Sequence, residues 1–326
     1  MAFTRRRITV LFSLLMVLLG WVAGEMVVIK NNTLEARYPE MIAMLKQTVI
    51  AAAAKPSQCI SPNTLILVIG SHAHADNIKL QSLNVAHLPC FRDRYVLILY
   101  DDKGYRNLCQ EYWSNGTAER TIAGCFRSPE EKSLDGKGDY HHFIWRKHDY
   151  VLVLLKAGIN VWLYDGDVVF LRPPFLDTIN QDLAYQGSFS GGVNDGQVGF
   201  KASNMTIALV EELIKYHLEH PKDKVLTQDI LEHLSRNSAN TAWAGIKRRK
   251  MNDVLVSSNL FINKNKAHLD KLVSFHCNFL NSSTPVAKLR KAVDILHIFN
   301  KTLAEGHKSP PIPEYILAAV NNTFVN

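Results

Sequence analysis

Asp165 and Asp167 stand two positions apart, with only Gly166 between them, directly after the apolar run 160–164. Side chains two apart on an extended segment project to the same side, so both carboxylates are aimed at one place. They repel there unless something positive lies between them. A hard divalent ion, Mn²⁺ or Mg²⁺, is the natural partner of paired carboxylates, and it keeps open positions that phosphate oxygens fill. Gly166 removes side-chain bulk where a diphosphate would approach the backbone. This pattern points to a cation that helps hold a phosphorylated small molecule.

A second group of candidate ligands is Gly70-Ser71-His72-Ala73-His74-Ala75-Asp76-Asn77. Two imidazoles two apart on a loop can bind zinc. His72, His74 and Asp76 resemble the opening of the metallo-β-lactamase-type hydrolase motif, which makes a zinc-dependent hydrolase an alternative function. The closing His of that motif is Asn77 here, which leaves two imidazoles where three protein ligands are usual. The competing reading makes Ser71, His72 and Asn77 part of a nucleotide pocket, as expected for the first loop between a strand and a helix.

The elements that position these residues alternate. Residues 64–69 (TLILVI) and 95–99 (YVLIL) read as buried strands, and residues 76–86 between them have helical spacing. Residues 140–157 predict a helix stopped by Gly158, followed by the strand 160–164. Strands alternating with helices predict an α/β fold around a mainly parallel sheet. Ligands of such sheets bind beyond the carboxyl ends of the strands. The Ser71 to Asp76 loop, Asp101 and Asp165 all fall at such ends, so one crevice is expected to collect them.

The 326 residues carry a net charge of +7, part of it in Arg5-Arg6-Arg7 and part in Lys247-Arg248-Arg249-Lys250. Nucleic-acid binders spread basic residues along a whole face; this chain does not, and no nucleic-acid partner is expected. The arginines precede an unbroken apolar run over residues 8–24, the minimum length for a membrane-spanning helix. Basic residues before the run keep residues 1–7 in the cytoplasm. The expected organisation is a cytoplasmic tail (1–7), a signal-anchor transmembrane helix (8–24), a stem with a first helix (25–58) and a catalytic domain (59–326). A cleaved signal peptide is the competing reading, and both send the remainder into the secretory pathway. Asn-x-Ser/Thr sequons at Asn31, Asn115, Asn204, Asn281, Asn300 and Asn321 agree with a lumenal history. Of the five cysteines, Cys109 and Cys125 flank one loop and are the expected disulfide.

The stretch from Gly158 to Pro174, with Asp165-Gly166-Asp167-Val168-Val169-Phe170-Leu171-Arg172-Pro173 at its centre, resembles the nucleotide-diphospho-sugar transferase domain of glycosyltransferase family 77. The helix carrying Lys147, the segment Thr227-Gln228-Asp229, the segment Phe275-His276-Cys277-Asn278 and Lys288-Leu289 extend the resemblance over about residues 62–300. It implies a single Rossmann-like domain of GT-A type. The implied activity is a metal-dependent hexosyl or pentosyl transfer from a nucleotide-diphosphate donor to a glycan or glycoprotein acceptor, with retention, in the Golgi or endoplasmic reticulum. By the same resemblance Asp165, Asp167 and His276 hold Mn²⁺ or Mg²⁺, Lys147 neutralises phosphate, and Gln228 and Asp229 face the sugar or acceptor. There are departures. Where the family shows Asn-x-Gly-Phe, this chain reads Gln197-Val198-Gly199-Phe200 after Asn194-Asp195-Gly196, so the amide's part falls to Gln197 or Asn194. The family's Asp before that element is replaced by Ala184-Tyr185-Gln186. These changes leave open an inactive glycan-binding protein on a transferase fold.

Overall fold

The computed structural model describes residues 34–54, 63–72, 92–113, 122–128, 137–170, 181–188, 192–221, 225–237, 241–251, 256–258 and 274–276, together with Ala75, Ile78, Gln81, Val85, Asp223 and Ala239. The expected tail and anchor, His74, Asp76, Asn77, residues 171–174 and Lys288 lie outside them. Among the described residues no helix is long and apolar enough to cross a membrane. The chain divides into a short unit, residues 1–43, and a large one, residues 44–326. Described residues of the first are a helical turn, Leu34–Arg37, and the start of helix α1, Pro39–Ala54. All that follows concerns the second.

Strand β1 spans Thr64–Gly70 and β2 spans Tyr95–Leu99. A short helical turn, Asp102–Tyr105, runs into a π-helical segment, Arg106–Trp113, and β3 follows at Gly124–Arg127. Cys109 and Cys125 form a disulfide that ties the π-helical segment to β3, as expected from the sequence. Helix α2, Lys137–Lys156, leads to β4, Asn160–Tyr164, and β5, Val168–Phe170. Strands β6, Leu183–Gly187, and β7, Val193–Phe200, precede helices α3, Asn204–Glu219, and α4, Thr227–Arg236. Strands β8, Arg248–Lys250, β9, Val256–Ser258, and β10, Ser274–His276, complete the described elements.

Seven strands form one sheet in the order β3-β2-β1-β4-β7-β6-β8, and β5, β10 and β9 form a second. The pairs β3–β2, β2–β1, β1–β4 and β6–β8 are parallel, while β7 runs against both its neighbours. The mainly parallel α/β reading therefore holds. Leu65, Ile66, Leu67 and Val68 are fully buried, which is why β1 is apolar without alternation. Each such side chain contributes about 1.5–3 kcal/mol through burial.

The carboxyl end of β4 is aimed by the end of α2. Gly158 takes φ +76°, a conformation that costs a glycine little. Gly158 N–H donates to Leu155 O at 2.9 Å and Ile159 N–H to Leu154 O at 3.0 Å, a Schellman closure of the helix. The chain turns back at once into β4, which pairs with β1 from Asn160 to Tyr164 and releases Asp165 at the sheet edge.

Candidate active site

A turn at the end of β4 presents the two carboxylates. Val168 N–H donates to Asp165 O at 3.2 Å and closes it. Gln81, from the helical residues after β1, holds it from outside. Its Nε2 donates to Asp165 O at 2.8 Å and to Val168 O at 3.0 Å, while its Oε1 accepts from Tyr95 Oη–H at 2.7 Å. A Cβ at Gly166 would lie 2.8 Å from Ile78 Cγ1. The bulk excluded at Gly166 is therefore excluded by the helix beneath as well as by any ligand above.

His276 arrives from the second sheet. Strand β10 pairs antiparallel with β5, opposing His276 to Val168, the residue after Asp167. The ring is buried, with 2% of its surface exposed. Its Nε2 lies 3.2 Å from Asp167 Oδ1 and 3.8 Å from Asp165 Oδ2. One ligand atom from each of the three residues falls within 4.8 Å of the others. Oxygens about 2.1 Å from an octahedral ion lie about 3.0 Å apart when adjacent and about 4.2 Å when opposite, so the three side chains fit one small divalent ion. Burial alone would lower the His276 pKa, but Asp167, by charge and hydrogen bond, and Asp165 outweigh it and raise the value, with Lys147 acting against them. The carboxylates thus draw positive charge to the spot where the ring meets them.

Strand β7 closes the site from below. Its ladder with β6 slips between Tyr185 and Gln186, so residues 195–197 leave β6 while Asp165 N–H still donates to Gly196 O at 2.9 Å. A Cβ at Gly196 would lie 2.0 Å from His276 Cε1 and 2.8 Å from Asp165 Oδ2, so the site exists only because this position has no side chain. Lys147, on α2 and only 3% exposed, places Nζ 2.8 Å from Asp165 Oδ1 and 3.8 Å from Asp195 Oδ2. It neutralises one oxygen of Asp165 and leaves Oδ2 toward His276. Thr227 Oγ1–H donates to Asp195 at the first turn of α4. Asp229, in the same first turn, is exposed at its surface; partial desolvation and the charge of Asp195 raise its pKa.

Other residues expected at the site lie around this cluster. Gln197 is fully buried, its Nε2 donating to Gln186 Oε1 at 3.1 Å and its Oε1 accepting from Ser274 Oγ–H at 2.6 Å. These bonds tie it to the residues behind His276, while Asn194 caps the bulge, its Oδ1 accepting from Gly196 N–H. Asp101 accepts from Gly104 N–H and His72 N–H, both at 2.7 Å, so its carboxylate shapes the loop. Ser71 is buried beside it, and His72 Nδ1 lies 3.5 Å from Asn107 Nδ2. Lys147 sits behind Asp165, where the sequence reading placed it against phosphate. Gln81, Gln186 and Asp195 were not singled out as site residues. Of these, Gln186 and Asp195 fell within the stretches that depart from the family pattern, and Gln81 left no trace.

The fold resembles that of the GlyE glycosyltransferase of Streptococcus pneumoniae TIGR4 at 13% identity, over 77% of this chain and 66% of that one, with a TM-score of 0.45. It also resembles the galactosyltransferase LgtC solved with donor and acceptor sugar analogues, at 12% identity over 78% of this chain and all of that one, TM-score 0.43. An Arabidopsis thaliana protein described only as uncharacterized is 30% identical over 123 residues, 34% of this chain and 36% of that protein. The match to this relative therefore spans about a third of its length. The family model for nucleotide-diphospho-sugar transferases matches residues 90–290, a stretch that holds Asp165, Asp167, Gln228, Asp229 and His276. The chain belongs to the nucleotide-diphospho-sugar transferase family.

Proposed function

We propose that this chain transfers a sugar from a nucleotide-diphosphate donor to a glycan or glycoprotein acceptor, with retained anomeric configuration and with a need for Mn²⁺ or Mg²⁺. The observation that carries the reading is the meeting of Asp165, Asp167 and His276 at coordination spacing. These three would hold the ion. When bound, it supplies Lewis-acid stabilisation of the charge that grows on the departing diphosphate. Lys147 pairs with Asp165 Oδ1 and orients the carboxylate. Gln81 fixes the turn. Gln228 and Asp229 begin α4 beside Asp195, where sugar or acceptor would lie, and the raised pKa of Asp229 suits a carboxylate that receives a hydroxyl proton.

The Cys109–Cys125 disulfide, the six sequons and the basic-then-apolar N-terminus support a lumenal catalytic domain on a single-pass type II anchor in the Golgi or endoplasmic reticulum. Retention rests on the resemblance of residues 158–174, and the anomeric proton coupling of the product would test it.

The direct experiment screens nucleotide sugars with purified protein, with and without Mn²⁺. Turnover of one donor is expected, abolished by chelation and restored by Mn²⁺. Asp167→Asn should lower it on the order of 10³-fold, because an amide lacks the charge a hard cation needs, with the circular dichroism spectrum unchanged. Near-normal turnover of Asp167→Asn in Mn²⁺ would sink the assignment.

A further inference from the structure

Behind His276 lies a chain of hydrogen bonds that none of the roles above requires. His276 Nδ1 is 3.0 Å from Gln186 Oε1, and the same oxygen accepts from Gln197 Nε2 at 3.1 Å. Gln197 Oε1 in turn accepts from Ser274 Oγ–H, two residues before His276 on β10. Gln186 and Gln197 are fully buried, and Ser274 nearly so. A buried amide chain of this kind has a direction. With Gln186 Oε1 as acceptor, Nδ1 must carry a proton, and the lone pair of a neutral ring is then on Nε2, the nitrogen that faces Asp165 and Asp167. With both amides reversed, Gln186 would donate to Nδ1, and the proton of a neutral ring would sit on Nε2, where no ion could bind.

The protein holds the first direction in spite of a cost. Gln186 Nε2 is buried without a hydrogen-bond partner, and an unsatisfied buried donor costs about 1–3 kcal/mol. The Asp165 and Asp167 carboxylates offset that cost only with positive charge at Nε2, either a bound ion or a second ring proton; in both states Nδ1 keeps its proton, and Gln186 Oε1 is the partner it needs. Both amides come from the slipped part of the β6–β7 ladder, Gln186 on one side and Gln197 on the other. The irregularity that brings Gly196 under His276 also brings these two side chains to its far nitrogen.

We propose that Gln186, backed by Gln197 and Ser274, is a positioning residue that fixes His276 as the Nδ1–H tautomer and so prepares Nε2 to ligate a divalent cation. The inference rests on the metal-site reading above. Gln186 touches neither substrate nor ion; it acts through the ring.

The test measures Mn²⁺ binding by calorimetry on the full chain, without donor, together with the two-bond nitrogen–proton spectrum of the imidazole, which distinguishes the tautomers. Gln186→Met keeps the volume and removes the acceptor. It should weaken Mn²⁺ binding about 10–100-fold and shift the His276 signal from one tautomer to a mixture. Gln186→Glu retains an acceptor and has no donor to reverse, so it should restore binding to within a few-fold of the parent and keep the single tautomer. Ser274→Ala, at the far end, should give a smaller loss in the same direction. His276→Ala serves as the reference. If it leaves Mn²⁺ affinity unchanged, the metal site itself is wrong. If it abolishes binding while Gln186→Met binds Mn²⁺ as tightly as the parent with an unchanged tautomer, the relay is inert and the proposal fails. Should Gln186→Met not fold, parent-like tautomer and affinity in both Ser274→Ala and Gln197→Leu would overturn it equally.

Discussion

At the scale of single residues the site is set by charges and by one missing side chain. Gly196→Ala would place a methyl group 2.0 Å from His276 Cε1, a contact that backbone and ring must relieve by moving apart. Mn²⁺ affinity is expected to fall at least 10-fold and the melting temperature by a few degrees, read by calorimetry and by thermal unfolding. The His276 pKa lies above the ordinary histidine value of about 6.5. In the ion-free protein this shift contributes stability that is fully present below the unfolded value and lost as pH rises through the folded one. Ion binding has the opposite dependence, because the ion needs Nε2 without its proton. Mn²⁺ affinity should therefore be full only above the raised pKa and decline about tenfold per unit below it, with the midpoint higher than 6.5 in a pH series of titrations. Asp165 and Asp167 were legible because their spacing is local. The roles of Gln81, Gln186 and Asp195 were not, since what a glutamine or aspartate meets across the fold is not written in its own neighbourhood.

At the scale of elements, strands and helices were legible wherever their signal was an unbroken apolar run or a glycine stop. β1, β2, β4 and α2 fall close to the expected spans. The slip in the β6–β7 ladder was not readable, because it depends on which strands become neighbours. Nor was the interior of α2 foreseen. His148 is wholly buried, neither ring nitrogen has a hydrogen-bond partner of normal geometry, and the ring meets Phe200 edge-on at 6.3 Å. Burial lowers its pKa to about 4, with Asp195 opposing and Lys147 assisting. The folded ring is thus neutral where the unfolded one is charged. Its contribution to stability is complete above about pH 6.5 and is lost as pH falls toward 4. His148→Leu should flatten the decline of melting temperature between pH 6.5 and 4.5; an unaltered slope would remove His148 from the account. On β4, Leu163→Ala should cost about 2–5 kcal/mol in denaturant unfolding, because the side chain is fully buried and the strand that delivers Asp165 depends on that packing.

For the whole molecule, the mild positive charge is compatible with the diphosphate-bearing donor proposed above. The proposed lumenal placement has a direct readout. Asn204 is exposed at the start of α3, while Thr206 of the same sequon is buried with its hydroxyl bonded to Ser203. A glycan there must be attached before α3 folds. Endoglycosidase treatment of protein from secretory cells should lower its apparent mass, and Asn204→Gln should remove one step of that shift. No change in mass on treatment would count against the topology.

His276 belongs to a different sheet from the strand that delivers the carboxylates, and it lies far later in the chain. All seven strands of the main sheet end by Lys250. A growing chain can therefore assemble that sheet, and display both aspartates, before the ligand that completes the set has been synthesised. Products of premature termination between Lys250 and Ser274 would have the architecture of a transferase and only two of its three ligands. If the proposed site holds an ion, the order of the parts makes its completion a late event in synthesis, and possession of the ion would report that the polypeptide was made past His276.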